Sequence, residues 1–256
     1  MGKPFPQLVR EEIAEPLALE GFYCGAPPEA IARAADLIWP TRGPMGSGML
    51  AGATRTILGA FSNALEYAQP FVDFAGIPFD LNGARDALVP AGMQDFEFDS
   101  AETLGVPIPS ANGIFDARSL ARMYAALAEG GAIDGVSLVS SRTLEKAAEI
   151  QPTSRNHVVI PIDLGWRLGY HAALSTRGKI PGAFGHFGFG GSGAWADPAR
   201  RLSIAFVANS GLTTPFGELR LARLGSALLD GYDRLRAQAG DDWVDSGAMA
   251  PLSRFA

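Results

Sequence analysis

The 256-residue chain has one cysteine, three histidines and, among 21 basic residues, only the lysines Lys3, Lys146 and Lys179. A lone cysteine, Cys24, excludes an internal disulfide and a multi-cysteine zinc site, and reads as a small buried hydrophobe. The histidines His157, His171 and His186 are too scattered for a zinc pattern. No metal and no cofactor is expected. No run of eighteen apolar residues occurs, so no membrane span is implied. Met1-Gly-Lys-Pro-Phe-Pro6 lacks the apolar core of a signal peptide, and the cytoplasm is the expected compartment. A net charge of -6 leaves no excess of base to displace phosphate counterions, so nucleic acid is not an expected partner.

What remains is ordinary for a globular chain: 47% hydrophobic and 19% charged residues, in a length that can bury a real core. Pro4 and Pro6 open a first helix with Leu8, Val9 and Ile13 as its apolar stripe, and Pro16 ends it. Gly21 to Gly25 reads as a short strand. From Pro40 to Leu104 the periodicity weakens, with only Thr54 to Tyr67 helical in pattern, as in an irregular excursion over a scaffold. Asp95-Phe-Glu-Phe-Asp99 reads as a half-exposed extended segment with its acids in solvent rather than as a metal site. Asp116 should cap a helix through Glu129 that stops at Gly130-Gly131. Ser140 or Ser141 should cap a shorter helix reaching about Ile150.

The second half reads as sheet. His157 to Ile162 and Leu164 to His171 suggest a hairpin-like pair of strands. Phe184-Gly-His-Phe-Gly-Phe-Gly-Gly-Ser-Gly-Ala-Trp-Ala-Asp197 reads as a strand, a glycine-rich bend and a second strand ending in an Asp-Pro turn. Leu202 to Asn209 follows as a third strand. Leu221, Leu224, Leu228 and Leu235 place a long helix over Pro215 to Arg236, laid on the sheet. The expected class is α+β, an antiparallel sheet with packed helices. One domain is expected over residues 1–236, with 237–256 a loosely ordered tail.

Three local patterns have blander readings than they invite. Gly188, Gly190 and Gly193 match Gly-x-Gly-x-x-Gly, but a strand follows where pyrophosphate binding needs a helix start. Ser192 lacks the last glycine of a nucleophile elbow, since Ala194 stands there, and reads as a turn serine. Thr143, three residues before Lys146, lies inside an amphipathic helix. His157 and His171 read as edge or packing residues, and Trp166 and Trp195 as core or cleft-wall aromatics.

The Gly-His-Phe-Gly stretch resembles the His-x-Gly element of the serine β-lactamase, penicillin-binding protein and esterase superfamily, in its class C-like branch. Val9 to Leu17 resembles the helix leading into the second half of that fold, and Pro109-Ser-Ala-Asn-Gly through Gly131 resembles its Ala-Asn-Gly loop and capped helix. The resemblance implies a β-lactamase/transpeptidase-like fold and a serine hydrolase, esterase-like or peptidase-like, working through an acyl-serine on a small ester or amide. It implies that His186, Phe187 and Gly188 hold substrate and that the backbone N–H of Phe189 is an oxyanion donor. With His in place of Lys, a permanent charge suited to a β-lactam carboxylate is lost.

The motifs that make the nucleophile in that superfamily are missing. Thr143 and Thr176 precede Lys146 and Lys179 by three, so no Ser-x-x-Lys occurs. Gly25, Gln69, Ala126, Ala172 and Arg234 stand two places after the five tyrosines, so no Tyr-x-Asn occurs. Both motifs would precede the first helix. The expectation is therefore a C-terminal portion, without the first strands and nucleophile helix, inactive alone. The alternative is a non-catalytic pseudoenzyme or complementation half that pairs with itself or a partner through an open strand edge at 202–209.

Overall fold

The computed structural model describes residues 2–38, 70, 73, 80, 83, 96–152, 163–188, 191–210 and 220–240. The helix expected over Thr54 to Tyr67, the strand expected over His157 to Ile162, and Phe189 lie outside them. The class is α+β, built on a four-stranded antiparallel sheet with helices on both faces.

The chain enters through α1 (Phe5–Val9), where Pro6 sits in the first turn and needs no N–H. The helix then widens to a π-type turn over Arg10–Ala14, with Glu15 N–H reaching the Arg10 carbonyl at 2.8 Å. This widening precedes Pro16, which has no N–H to return to the helix. β1 (Phe22–Cys24) pairs antiparallel with β2 (Gly113–Phe115), bringing the Phe22 and Phe115 rings to 4.6 Å. Between them lie the short helices α2 (Pro28–Ile31) and α3 (Ala101–Gly105), the latter capped by Ser100. Phe96 and Phe98 meet edge to face, and the chain turns at Phe98-Asp99 instead of staying extended.

Asn112, of the Ala-Asn-Gly pattern, is buried and stitches the loop before β2. Its Oδ1 accepts Ile108 N–H at 2.9 Å, and its Nδ2 donates to the Thr103 and Val106 carbonyls at 2.7 and 2.6 Å. One buried side chain thereby satisfies three backbone groups of the loop. Cys24 is a buried free thiol pushed up in pKa by burial, as its reading as a small hydrophobe anticipates.

Asp116 caps α4 (Ala117–Ala128) by accepting Ser119 N–H at 2.7 Å. The helix stops at Gly130 and Gly131, both at positive φ. A small hairpin, β3 (Ala132–Ile133) and β4 (Val136–Ser137), leads to α5 (Ser141–Ala148), capped by Ser140.

Leu164 to Tyr170 does not form a strand. Gly165 and Gly169 take φ of 61° and 80°, which breaks extended geometry, and the backbone bonds to its surroundings irregularly. Trp166 carbonyl accepts Gln151 N–H, Leu164 carbonyl accepts Ala172 N–H, and Arg167 N–H closes a turn on Tyr170. The sheet starts at His171: β5 (His171–Ser175), β6 (Gly178–Phe187), β7 (Gly193–Asp197) and β8 (Leu202–Phe206), in that spatial order. β6 is not in one register with β5. His171 faces Gly185 and Ala172 faces Phe184, whereas Leu174 faces Lys179 and Ser175 faces Gly178. The difference is three extra residues on β6, around Pro181 and Gly182, the latter at φ 75°.

Both faces of the sheet are covered. Ala194, Ala196 and Phe184 pack with Leu120, Tyr124 and Leu127 of α4. Ala183, Trp195 and Ile180 pack with Leu221 of α6 (Arg220–Ala239), the long helix foreseen from its leucines. Period-two alternation sends adjacent residues of β7 to opposite cores, so Trp195 is 2% exposed and Ala196 fully buried. At Gly225 of α6 a Cβ would stand 3.2 Å from Trp195, so the glycine sets how closely the helix lies on the sheet.

Candidate functional site

The site grows from the end of β6. His186 and Phe187 are its last paired residues, facing Ala194 and Gly193. The chain then closes a tight bend, with Gly188 N–H donating to Ser192 carbonyl at 2.8 Å and Gly191 N–H to Gly188 carbonyl at 3.0 Å. Two glycines here are demanded by packing. A Cβ at Gly185 would lie 2.1 Å from the Ala194 carbonyl oxygen, and one at Gly193 2.5 Å from that of His186. Gly188 is different: among the described residues a Cβ there would meet only the Ser192 carbonyl oxygen, at an ordinary 3.7 Å.

His186 presents its ring to solvent, stacked near Phe187 at 6.5 Å and tilted against His171 at 5.2 Å. The packed rings around its inner side withhold water and lower its pKa. Its backbone amide lies toward the Tyr124 hydroxyl of α4; that buried phenol is held above its ordinary pKa by desolvation, with Tyr170 adding to the shift. Tyr170 in turn sits edge-on to Phe184 at 5.2 Å.

His171 is the residue whose reading changes most. It is 2% exposed, with Nδ1 2.9 Å from the Ala172 carbonyl and Nε2 taking Phe187 N–H at 3.3 Å. Trp166 and Phe187 meet its ring edge to face at 5.6 and 4.4 Å. Burial lowers its pKa to about 4, so the ring is neutral at pH 7. The packing reading of this histidine was incomplete, because both ring nitrogens serve the backbone. Arg167, also not foreseen, donates to the Ala183 carbonyl at 2.8 Å and lies over the Phe184 ring, with its own pKa lowered by burial.

The hydroxyls of the two serine and threonine candidates are engaged in structural hydrogen bonds. Ser192 donates to the Ala208 carbonyl at 3.2 Å and accepts Ala208 N–H at 3.0 Å, so it fastens β7 to the end of β8. Thr143 is occupied with the Ser140 cap of α5. β7 begins at Gly193, so the glycine pattern opens a strand and offers no helix N-terminus to a pyrophosphate. Among the described residues no three His, Cys, Asp or Glu side chains converge as metal ligands, and no helix is long and apolar enough to cross a membrane. His186, Phe187 and Gly188 are contiguous at one strand end.

Residues 1–229 match the family model described as Beta-lactamase. The protein described as Esterase/beta-lactamase LipL, from Mycobacterium tuberculosis, is 34% identical over 214 residues, covering 81% of this chain and 43% of that protein. A penicillin-binding protein homolog from Caulobacter crescentus superposes with a TM-score of 0.64 at 30% identity, over 88% of this chain and 53% of its own. A family VIII carboxylesterase superposes at 0.63 and 22% identity, over 91% and 52%, a likeness of fold. The chain spans about half the length of these relatives.

Proposed function

Because this chain belongs to the β-lactamase family, we propose that it supplies the strand-side wall of an acyl-serine hydrolase site for small esters or amides. The observation that carries this is the end of β6, where a glycine stands at 188 that packing among the described residues does not require. Such a glycine makes sense where a substrate lies against the strand. Neutral His186 offers substrate a hydrogen bond in place of a fixed cation, which supports an esterase-like or peptidase-like preference over β-lactam carboxylates.

The nucleophile is not among these 256 residues, and the chain alone is inactive. In the completed site a serine Oγ supplied by another segment attacks the ester carbonyl while a base takes its proton. The Phe189 backbone N–H, the position given by the family likeness, steadies the oxyanion. The alcohol leaves with the proton, and water then cleaves the acyl-serine.

The test is intact mass combined with fluorophosphonate labelling of the native protein from its own cells. A labelled species heavier than 26.9 kDa, with the label on a Ser-x-x-Lys serine, is the expected result. Acylation of any serine within these 256 residues would overturn it.

A second reading, a non-catalytic half that binds a partner, rests on β8. It is the last strand of the described sheet, and among the described residues the contact on that side comes just beyond it, where Ile38 N–H reaches the Asn209 carbonyl. An unlabelled native protein of 26.9 kDa that self-associates with concentration would favour it.

A further inference from the structure

The ladder between β5 and β6 ends two residues short of Phe187. His171 faces Gly185, and continued pairing would bring Tyr170 opposite His186 and Gly169 opposite Phe187. Instead the chain turns away at Gly169, whose φ is 80°, and Arg167 N–H closes that turn on the Tyr170 carbonyl. Phe187 N–H has lost its strand partner. A strand end with an unpaired amide frays, and this one carries His186 and leads into Gly188.

The side chain of His171 fills the gap. Its Nε2 takes Phe187 N–H, while its Nδ1 faces the Ala172 carbonyl. A carbonyl can only accept, so Nδ1 must carry the hydrogen, and Nε2 is then left with the lone pair that Phe187 requires. Two separate backbone contacts thus select the same tautomer. A residue kept only for packing needs neither match, and a phenyl ring would satisfy the contacts with Trp166 and Phe187. Protonation would set two N–H groups head to head. Arg167 from the preceding loop and His186 from β6 face the ring and oppose its charging, with the neutral Tyr124 phenol of α4 beneath the strand.

We propose that His171 is a positioning residue, whose imidazole replaces the missing strand partner of Phe187 and so fixes the aim of the His186-Phe187-Gly188 segment. Its relevance to catalysis rests on the hydrolase reading above; its physical content does not. The test uses the unmutated chain with nitrogen-15 histidine. A long-range proton–nitrogen correlation at pH 7 should find His171 as the Nδ1–H tautomer, with Nε2 bare and hydrogen-bonded. An Nε2–H tautomer overturns the proposal, even if a fluorophosphonate labels the native enzyme. Amide exchange gives the second arm. His171→Phe should speed exchange at Phe187 about tenfold, while the Ala196 amide in the core of β7 is unmoved. His171→Gln, which keeps an acceptor near the same place, should restore most of that protection. Unchanged exchange at Phe187 in His171→Phe overturns the proposal. If that variant does not fold, the tautomer of the unmutated ring decides. Failure to label the native protein bears on the hydrolase reading alone.

Discussion

Replacing Gly185 and Gly188 separately by alanine should have opposite effects on stability, although the two lie three residues apart in one motif. At position 185 the new methyl would sit 2.1 Å from the Ala194 carbonyl oxygen and 2.5 Å from Trp195 Cα. Both are backbone atoms of the paired strand, so no side chain can swing aside, and β6 and β7 must part by about an ångström. Overpacking of this kind costs about 1–3 kcal/mol, and rigid backbone neighbours place it at the upper end. At position 188 the nearest atom among the described residues is 3.7 Å away, and the backbone is not in the left-handed region. Alanine there removes freedom from the unfolded chain and should stabilise by about 0.4–1 kcal/mol. The two variants should therefore differ by roughly 3–4 kcal/mol, from the sum of these two effects. Urea unfolding followed by tryptophan fluorescence measures this directly, since Trp195 lies in the core beside Gly185. A Gly188→Ala variant as unstable as Gly185→Ala would refute the reasoning, because the glycine at 188 would then be required by the fold and would say nothing of a substrate.

Asp197 is fully buried and accepts Ala199 N–H at 3.1 Å, Arg200 N–H at 3.3 Å and the Arg200 guanidinium at 2.6 Å. Since Arg200 is 29% exposed and can rehydrate, Asp197→Ala should cost about 2 kcal/mol, below the loss expected of a fully buried pair. Asp197→Asn, which keeps an acceptor for the two amides, should lose less in the same urea titration, and equal losses would argue against the turn as the cause. The His171 pKa gives a pH dependence of definite sign. Between pH 6.5 and about 4 the unfolded chain takes up a proton that the folded ring refuses, so this share of stability is full above pH 6.5 and falls with pH. The loss approaches about 3 kcal/mol near pH 4, and His186, lowered in the same direction, adds to it. Comparing urea midpoints at pH 7 and 4.5, His171→Phe should show a shallower drop than the unmutated chain; parallel drops would contradict the assignment.

Elements whose signal is local were legible in the sequence. The Asp116 and Ser140 caps are decided within three residues of themselves, and the leucine stripe of α6 within a few turns. The three strands around the glycine-rich bend were legible too, as was the family, because the His-Phe-Gly run and its turn are contiguous. The hairpin that brings β5 to β6 was not. Leu164 to Tyr170 has the apolar content of a strand, but Gly165 and Gly169 take conformations that composition does not announce. The first half of β6, Gly178 to Ala183, holds a proline and two glycines, residues that strands disfavour, yet tertiary pairing makes it strand. His171 was missed as a site residue for a related reason. Its partner is sixteen residues away, and only the fold reveals that the amide it serves has lost its strand.

The three surplus residues around Pro181 divide the β5–β6 hairpin into two hydrogen-bonding frames. The outer frame, around Thr176 and Arg177, is held by α6 through Ser226 and Asp230. The inner frame keeps His171 opposite Gly185. A residue gained or lost at the tip can be absorbed in the slack at Pro181-Gly182 without changing which way His186 points. The tip of the hairpin is therefore the place to graft a reporter loop that leaves the end of β6 undisturbed.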